Sequence, residues 1–177
     1  VQLESDDFHG NTSHLCEHDL SGSSMVVSCH GQVEVIDGNG IWGEHENAVP
    51  LDLYQRPTPL SIAGSRLNKI AAEMSGMKKK KYIEEIELLH SLSERILGCI
   101  EYKKGQTDVT TKAEDAMAIG AGVCQDHVHA FTSVARLLGY SARYVSGYLF
   151  MEDVVIQKAS HAWAEVYVSS LGWLGFD

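Results

Sequence analysis

The stretch GAGVCQDHVHAF, residues 120–131, puts a cysteine just after two glycines and at the start of an apolar helical pattern. The chemistry open to Cys124 there is nucleophilic. A thiol at a helix N-terminus meets unpaired backbone N–H groups and the positive end of the helix dipole, and both favour thiolate over thiol. Gly120 and Gly122 let backbone approach a substrate carbonyl, and the Cys124 N–H is then available as half of an oxyanion hole. A plainer use competes with this one, since most free cysteines are small core hydrophobes. The helix alone does not separate the two.

A thiol nucleophile needs an imidazole to take its proton and a third group to hold the imidazole's tautomer. HAWAEVYV, residues 161–168, offers the imidazole. On a strand, Ala162, Ala164, Val166 and Val168 share one face and read as core, while His161, Trp163, Glu165 and Tyr167 share the other, where an active-site groove is expected. A strand histidine on a solvated face is the competing reading of His161. Asp177 enters through strand parity: in an antiparallel hairpin turning at SSLG, a His161/Asp177 pairing is centred on Ser169, so both share a face only across an odd-numbered loop or a bulge. Glu165 is the poorer orienting acid, because four residues along one strand separate it from His161 by about 13 Å.

The other polar residues of CQDHVH have lesser roles. Cys124 and His127 have metal-ligand spacing, but His129 falls off that face and no further compact ligand pair accompanies them, so no metal is expected. Asp126 suits the first helical turn, and His127 and His129 read as packing or groove residues. Tyr102 and Gln106, upstream of the cysteine, are the candidates for a second oxyanion donor.

The elements that must position these residues follow from the spacing of apolar side chains. The first sixty residues read as strands and hairpins, with MVVSCHGQVEVI alternating and DGNG at 37–40 as a turn. Pro50, Pro57 and Pro59 then mark an extended connector. From Ser65 the period becomes helical: Leu67, Ile70, Ala71 and Met74 mark a short helix, and Ile83, Ile86, Leu89, Leu92, Ile96 and Ile100 a longer one. Thr111 and Glu114 form a T-x-x-E capping box for a helix over residues 112–119. The Cys124 helix is largely buried and ends at Gly139. YSARYVSGYL, SHAWAEVYV and GWLGFD supply three strands. Helices grouped before strands predict an α+β fold, with an N-terminal β-rich region over 1–60 and a catalytic core over 61–177.

Composition narrows the function classes. The 177 residues are 44% apolar and 21% charged, an ordinary globular balance. A formal charge of −10 argues against a nucleic-acid surface. The basic run Lys78 to Lys81 reads as a solvated helix face. No apolar stretch approaches the length of a membrane span. Cys16, Cys29, Cys99 and Cys124 lack zinc or disulfide-scaffold spacing, so a reducing, cytoplasmic setting is expected. With no initiator methionine, the chain reads as part of a longer one.

GVCQDHVHAFTSVARLLGYSARYVSGYL, SHAWAEVYV and GWLGFD closely resemble the bacterial branch of the transglutaminase-like superfamily, whose fold is related to papain-like cysteine proteases. The likeness covers about residues 80–177, and IEYKKGQTDVTTKAEDAM resembles the lead-in to that family's cysteine. It implies helices packed on an antiparallel sheet, with Cys124 as nucleophile, His161 as base and Asp177 as orienting acid. The family motif runs on past its aspartate into a Pro-Thr pair and further strands, whereas this sequence stops at Asp177. The papain-type signature around the cysteine is absent, and without a D-x-[DN]-x-[DN]-G loop no calcium or other cofactor is implied. The expected activity is a cysteine peptidase or amidase acting on a peptide or protein amide through a thioester. A transglutaminase with an amine acceptor and a non-catalytic binding module on the same fold are the alternatives.

Overall fold

The computed structural model describes residues 3–17, 26, 31–46, 48–77, 82–151 and 160–177. Helix α4 (Cys124–Leu137) lies at its centre, packed on strands β6 (Ala142–Gly147) and β7 (His161–Val168) and against α1 (Ser65–Ser75), α2 (Tyr82–Leu97) and α3 (Ala113–Ile119). With β3 (Ile41–Gly43) and β8 (Gly172–Phe176), these strands form an antiparallel sheet of order β3-β8-β7-β6. A hairpin, β1 (Leu3–Asp6) with β2 (Thr12–Leu15), and a short parallel pair, β4 (Glu101–Tyr102) with β5 (Ala121–Gly122), complete the strands among the described residues. The fold is therefore α+β, as the grouping of helices before strands predicts.

Periodicity explains the core. Leu67, Ile70, Ala71 and Met74 recur at i, i+3, i+4 and i+7, and all four are buried. Leu89, Leu92 and Ile96 do the same from α2, and Val128, Phe131, Val134 and Ala135 from α4. Beneath α4, β7 presents Ala162, Ala164, Val166 and Val168, all buried. The two small alanines at the start of β7 let α4 approach the sheet closely where the helix begins.

Several local expectations give way to tertiary structure. Thr111 and Glu114 do not cap their own helix; α3 starts at Ala113 after Lys112. Instead the Glu114 carboxylate accepts from Gly64 N (3.1 Å), Arg66 N (2.8 Å) and Leu67 N (3.2 Å), capping α1 across the fold. These three donors hold its carboxyl below the usual range against the opposing effect of burial. The proline connector is not extended throughout, because residues 51–55 and 59–61 coil into 3-10 turns. Residues 31–36 alternate in sequence, yet form no strand and are exposed, and no strand pairs with them among the described residues. The rest of MVVSCHGQVEVI apart from Val26, and the run Lys78 to Lys81, lie outside the described residues. DGNG does turn, with Asn39 and Gly40 at positive φ, and leads into β3.

The β7–β8 hairpin sets the frame for the site. Val168 pairs with Gly172, leaving a loop of the three residues 169–171, odd-numbered as strand parity requires. Its centre is Ser170, one residue beyond the Ser169 expected, and Ala164 pairs with Phe176. Continuing that register puts Asp177 across from Trp163 and diagonal to His161, on the same face as both.

Candidate active site

The first turn of α4 is built around a buried carboxylate. Asp126 is 1% exposed, and its Oδ2 accepts from Val123 N (2.7 Å) and Thr107 Oγ1 (2.6 Å). This N-terminal cap fixes the approach to Cys124. It also gives Gly122 a purpose other than substrate access, because a Cβ there would lie 2.6 Å from Asp126 Oδ2. Gly120 ends α3 at φ +73, in the left-handed region. Asp126→Ala would leave the Val123 N–H and the Thr107 hydroxyl without their acceptor, and a loss of about 2 kcal/mol is expected. Urea unfolding of the two proteins measures it.

His127 ties this turn to the strand beside it. Its Nδ1 lies 2.9 Å from Val123 O and its Nε2 2.9 Å from Ile100 O. Both nitrogens face backbone carbonyls, and the single N–H of a neutral imidazole donates to one of them, as suits a packing residue. Glu101 N donates to Gly120 O (2.9 Å) and Lys103 N to Gly122 O (2.7 Å), which seats β4 beside the glycines. Tyr102, between them, faces the same pocket as Cys124, its ring 6.4 Å from that of His127. Of the two upstream donor candidates, only Tyr102 lines this pocket; Gln106 does not.

A pocket of about 190 Å³ brings the proposed triad together: Cys124, His161 and Asp177 all line it, over an apolar floor that includes Phe131, Ala164 and Phe176. His161 Nε2 and Asp177 Oδ2 are 2.7 Å apart. With Asp177 as carboxylate, Nε2–H donates and Nδ1 is left as the proton acceptor. Cys124 is half-buried, as a nucleophile open to substrate must be. Glu165 takes no part in this contact. Its carboxylate accepts from Arg143 Nε (2.7 Å) and Trp163 Nε1 (3.3 Å), and the Arg143 guanidinium lies 4.2 Å from the Trp173 ring.

The groove thus departs from the expectation that the whole His161, Trp163, Glu165 and Tyr167 face lines the site. Only His161, at the strand end, reaches the Cys124 pocket. Trp163 and Glu165 line a second cavity of about 1210 Å³. Sequence reasoning missed that cavity and Tyr144 on its wall, while His129, expected as a packing or groove residue, lines it. His129 is 9% exposed and stacks on Tyr144 with centroids 4.9 Å apart. Burial pushes the His129 imidazole down, with Asp126 opposing and Arg136 assisting. Burial also pushes the Tyr144 hydroxyl up, with Cys124 and Asp126 adding to the effect. Tyr144 therefore lies within electrostatic reach of Cys124 while facing the larger cavity. The signal available was the alternation in ARYVSG, which sets Ala142, Tyr144 and Ser146 on one side of the strand.

Cys16, Cys99 and Cys124 are free thiols, and Cys29 lies outside the described residues. Among the described residues no helix is long and apolar enough to cross a membrane.

Comparison with known proteins agrees with this architecture. Uncharacterized protein ML0607 of Mycobacterium leprae is 39% identical over 144 residues, covering 77% of this chain and 49% of that protein. Uncharacterized protein Rv2569c of Mycobacterium tuberculosis is 32% identical over 102 residues, covering 52% of this chain and 32% of that protein. The chain thus spans about half, or less, of the length of these curated relatives. Among solved structures, a "Putative Cysteine Protease" from Cytophaga hutchinsonii superposes with a TM-score of 0.59 at 26% identity, covering 80% of this chain and 42% of the other. The periplasmic domain of TgpA from Pseudomonas aeruginosa shares the fold, with a TM-score of 0.54 at 20% identity over 72% of this chain and 46% of the other. The family model for the transglutaminase-like superfamily matches residues 68–177, the span that holds α4, the sheet strands β6 to β8 and the pocket between them. By that match the chain belongs to the transglutaminase-like superfamily, a family of the thiol-dependent enzyme kind.

Proposed function

We propose that this protein hydrolyses an amide bond through a thioester on Cys124. The observation that carries the reading is the 2.7 Å contact between His161 and Asp177 at the wall of the pocket that Cys124 also lines. His161 Nδ1 takes the sulfur's proton, and the thiolate attacks the amide carbonyl carbon. The oxygen of the tetrahedral intermediate takes the negative charge, next to the Cys124 N–H at the head of α4. Collapse breaks the C–N bond, and the imidazolium delivers its proton to the departing amine. Water, deprotonated by the same imidazole, then attacks the thioester. A carboxylic acid leaves and the thiol is restored.

A second reading replaces water with a primary amine, which the family match favours. It uses the same residues and differs only in the acceptor. Incubation with a glutamine-containing peptide and a dansyl-labelled primary amine separates the two. Hydrolysis predicts a new carboxylic acid, at the glutamine with release of ammonia or at a cleaved main-chain amide, with no label in the peptide. Covalent incorporation of the dansyl group at the glutamine overturns hydrolysis in favour of transamidation.

A further inference from the structure

Among the described residues strand β6 is an edge of the main sheet, and the hydrogen-bonding parity of that edge follows from its register. Tyr167 N donates to Ser141 O (2.9 Å), so residues whose numbers sum to 308 with an odd partner on each strand are the hydrogen-bonded pairs. Arg143 with Glu165, Val145 with Trp163 and Gly147 with His161 therefore turn their N–H and C=O groups inward to β7. Ala142, Tyr144 and Ser146 turn theirs outward. Arg136 confirms this phase, because its Nη2 donates to the outward carbonyl of Ala142 (2.8 Å). No such partner meets the outward groups of Tyr144 and Ser146 among the described residues. They leave two donor and acceptor pairs at the two-residue spacing of an extended chain, about 7 Å apart.

Arg143, Tyr144, Val145 and Ser146 all line the cavity of about 1210 Å³, so space lies along this edge. The strand ends at Gly147, whose register partner is His161. The end of the edge thus lies one strand away from the proposed catalytic imidazole. We propose that the outer edge of β6, at Tyr144 and Ser146, pairs with the main chain of an extended peptide and so delivers a peptide substrate to Cys124. This rests on the amide-hydrolase reading and narrows its substrate class to extended peptide main chain. Edge pairing binds through backbone groups and leaves sequence preference to pockets for alternate side chains. Those side chains would face Tyr144 and His129 on the α4 side of the edge and Trp163 on the other.

The probe is acetyl-tetra-alanine aldehyde, to which the Cys124 thiol adds with its S–H split between carbon and oxygen to give a hemithioacetal. Four further aldehydes each carry one N-methylated alanine. N-methylation at alternate residues is expected to weaken inhibition about tenfold, with less than about threefold at the residues between. Ser146→Pro removes an outward donor without touching the β7 ladder, and about a tenfold loss of aldehyde potency is expected. If Ser146→Pro does not fold, the N-methyl series on the unaltered protein decides alone. Iodoacetamide labelling of Cys124, which needs no peptide binding, is run in parallel. Normal labelling with a flat N-methyl series, or with no inhibition by any of the aldehydes, overturns edge pairing and leaves the hydrolase reading standing. Failure of Cys124 to label sinks the hydrolase reading itself.

Discussion

Cys124→Ala is expected to abolish amide turnover, lowering kcat by at least about four orders of magnitude. The alanine keeps the helix and most of the packing but supplies no atom that can form the thioester. The effect should fall on kcat with little change in substrate affinity, since the rest of the pocket is untouched. Stability should change little, because Cys124 is only half-buried at a helix end that Asp126 caps independently. Steady-state kinetics on an amide substrate that the native protein turns over, together with a thermal melt, gives both readouts. Retained turnover in this variant would exclude the sulfur as nucleophile and with it the thioester mechanism.

The second large effect is expected at Asp177. Its side chain is 59% exposed, and its contact with His161 is close to solvent. An exposed pair of this kind contributes at most about 1 kcal/mol to stability. Asp177→Ala should therefore melt near the native temperature. Turnover, however, should fall about a thousandfold, because His161 loses the carboxylate that fixes its Nε2–H tautomer and stabilises the imidazolium formed during attack. A structural role would produce the opposite pattern, with stability lost and activity per folded molecule retained. Kinetics and thermal unfolding on the same preparation distinguish them.

The parts of this site that were legible in the sequence are those set by local period. A 3.6-residue stripe after Cys124 marks a buried helix, and a two-residue alternation in HAWAEVYV marks a strand with one aliphatic face; both elements form where those periods run. Strand parity was enough to require an odd hairpin loop. It could not fix the loop's centre, because Gly172, at φ +84, starts β8 one residue later than a Ser169-centred turn would. The rest was set by contacts distant in sequence. Glu114 fits a capping box by its spacing but is drawn to the N-terminus of α1, where three unpaired donors offer it more than one local bond. His127 packs as its place in CQDHVH suggests, but the carbonyls its two nitrogens meet lie in separate segments and follow from the fold alone. Residues 31–36 alternate without forming a strand, and no strand lies beside them among the described residues.

The central claim is that the sulfur of residue 124 is an activated nucleophile served by His161. Competitive labelling with a limiting amount of iodoacetamide at neutral pH, read as the modified fraction of each cysteine by peptide mass spectrometry, tests it most directly. Cys124 is expected to react at least about tenfold faster than Cys16, Cys29 or Cys99, and to lose most of that advantage in His161→Ala. A Cys124 that reacts no faster than the exposed Cys16, with or without His161, would contradict the account.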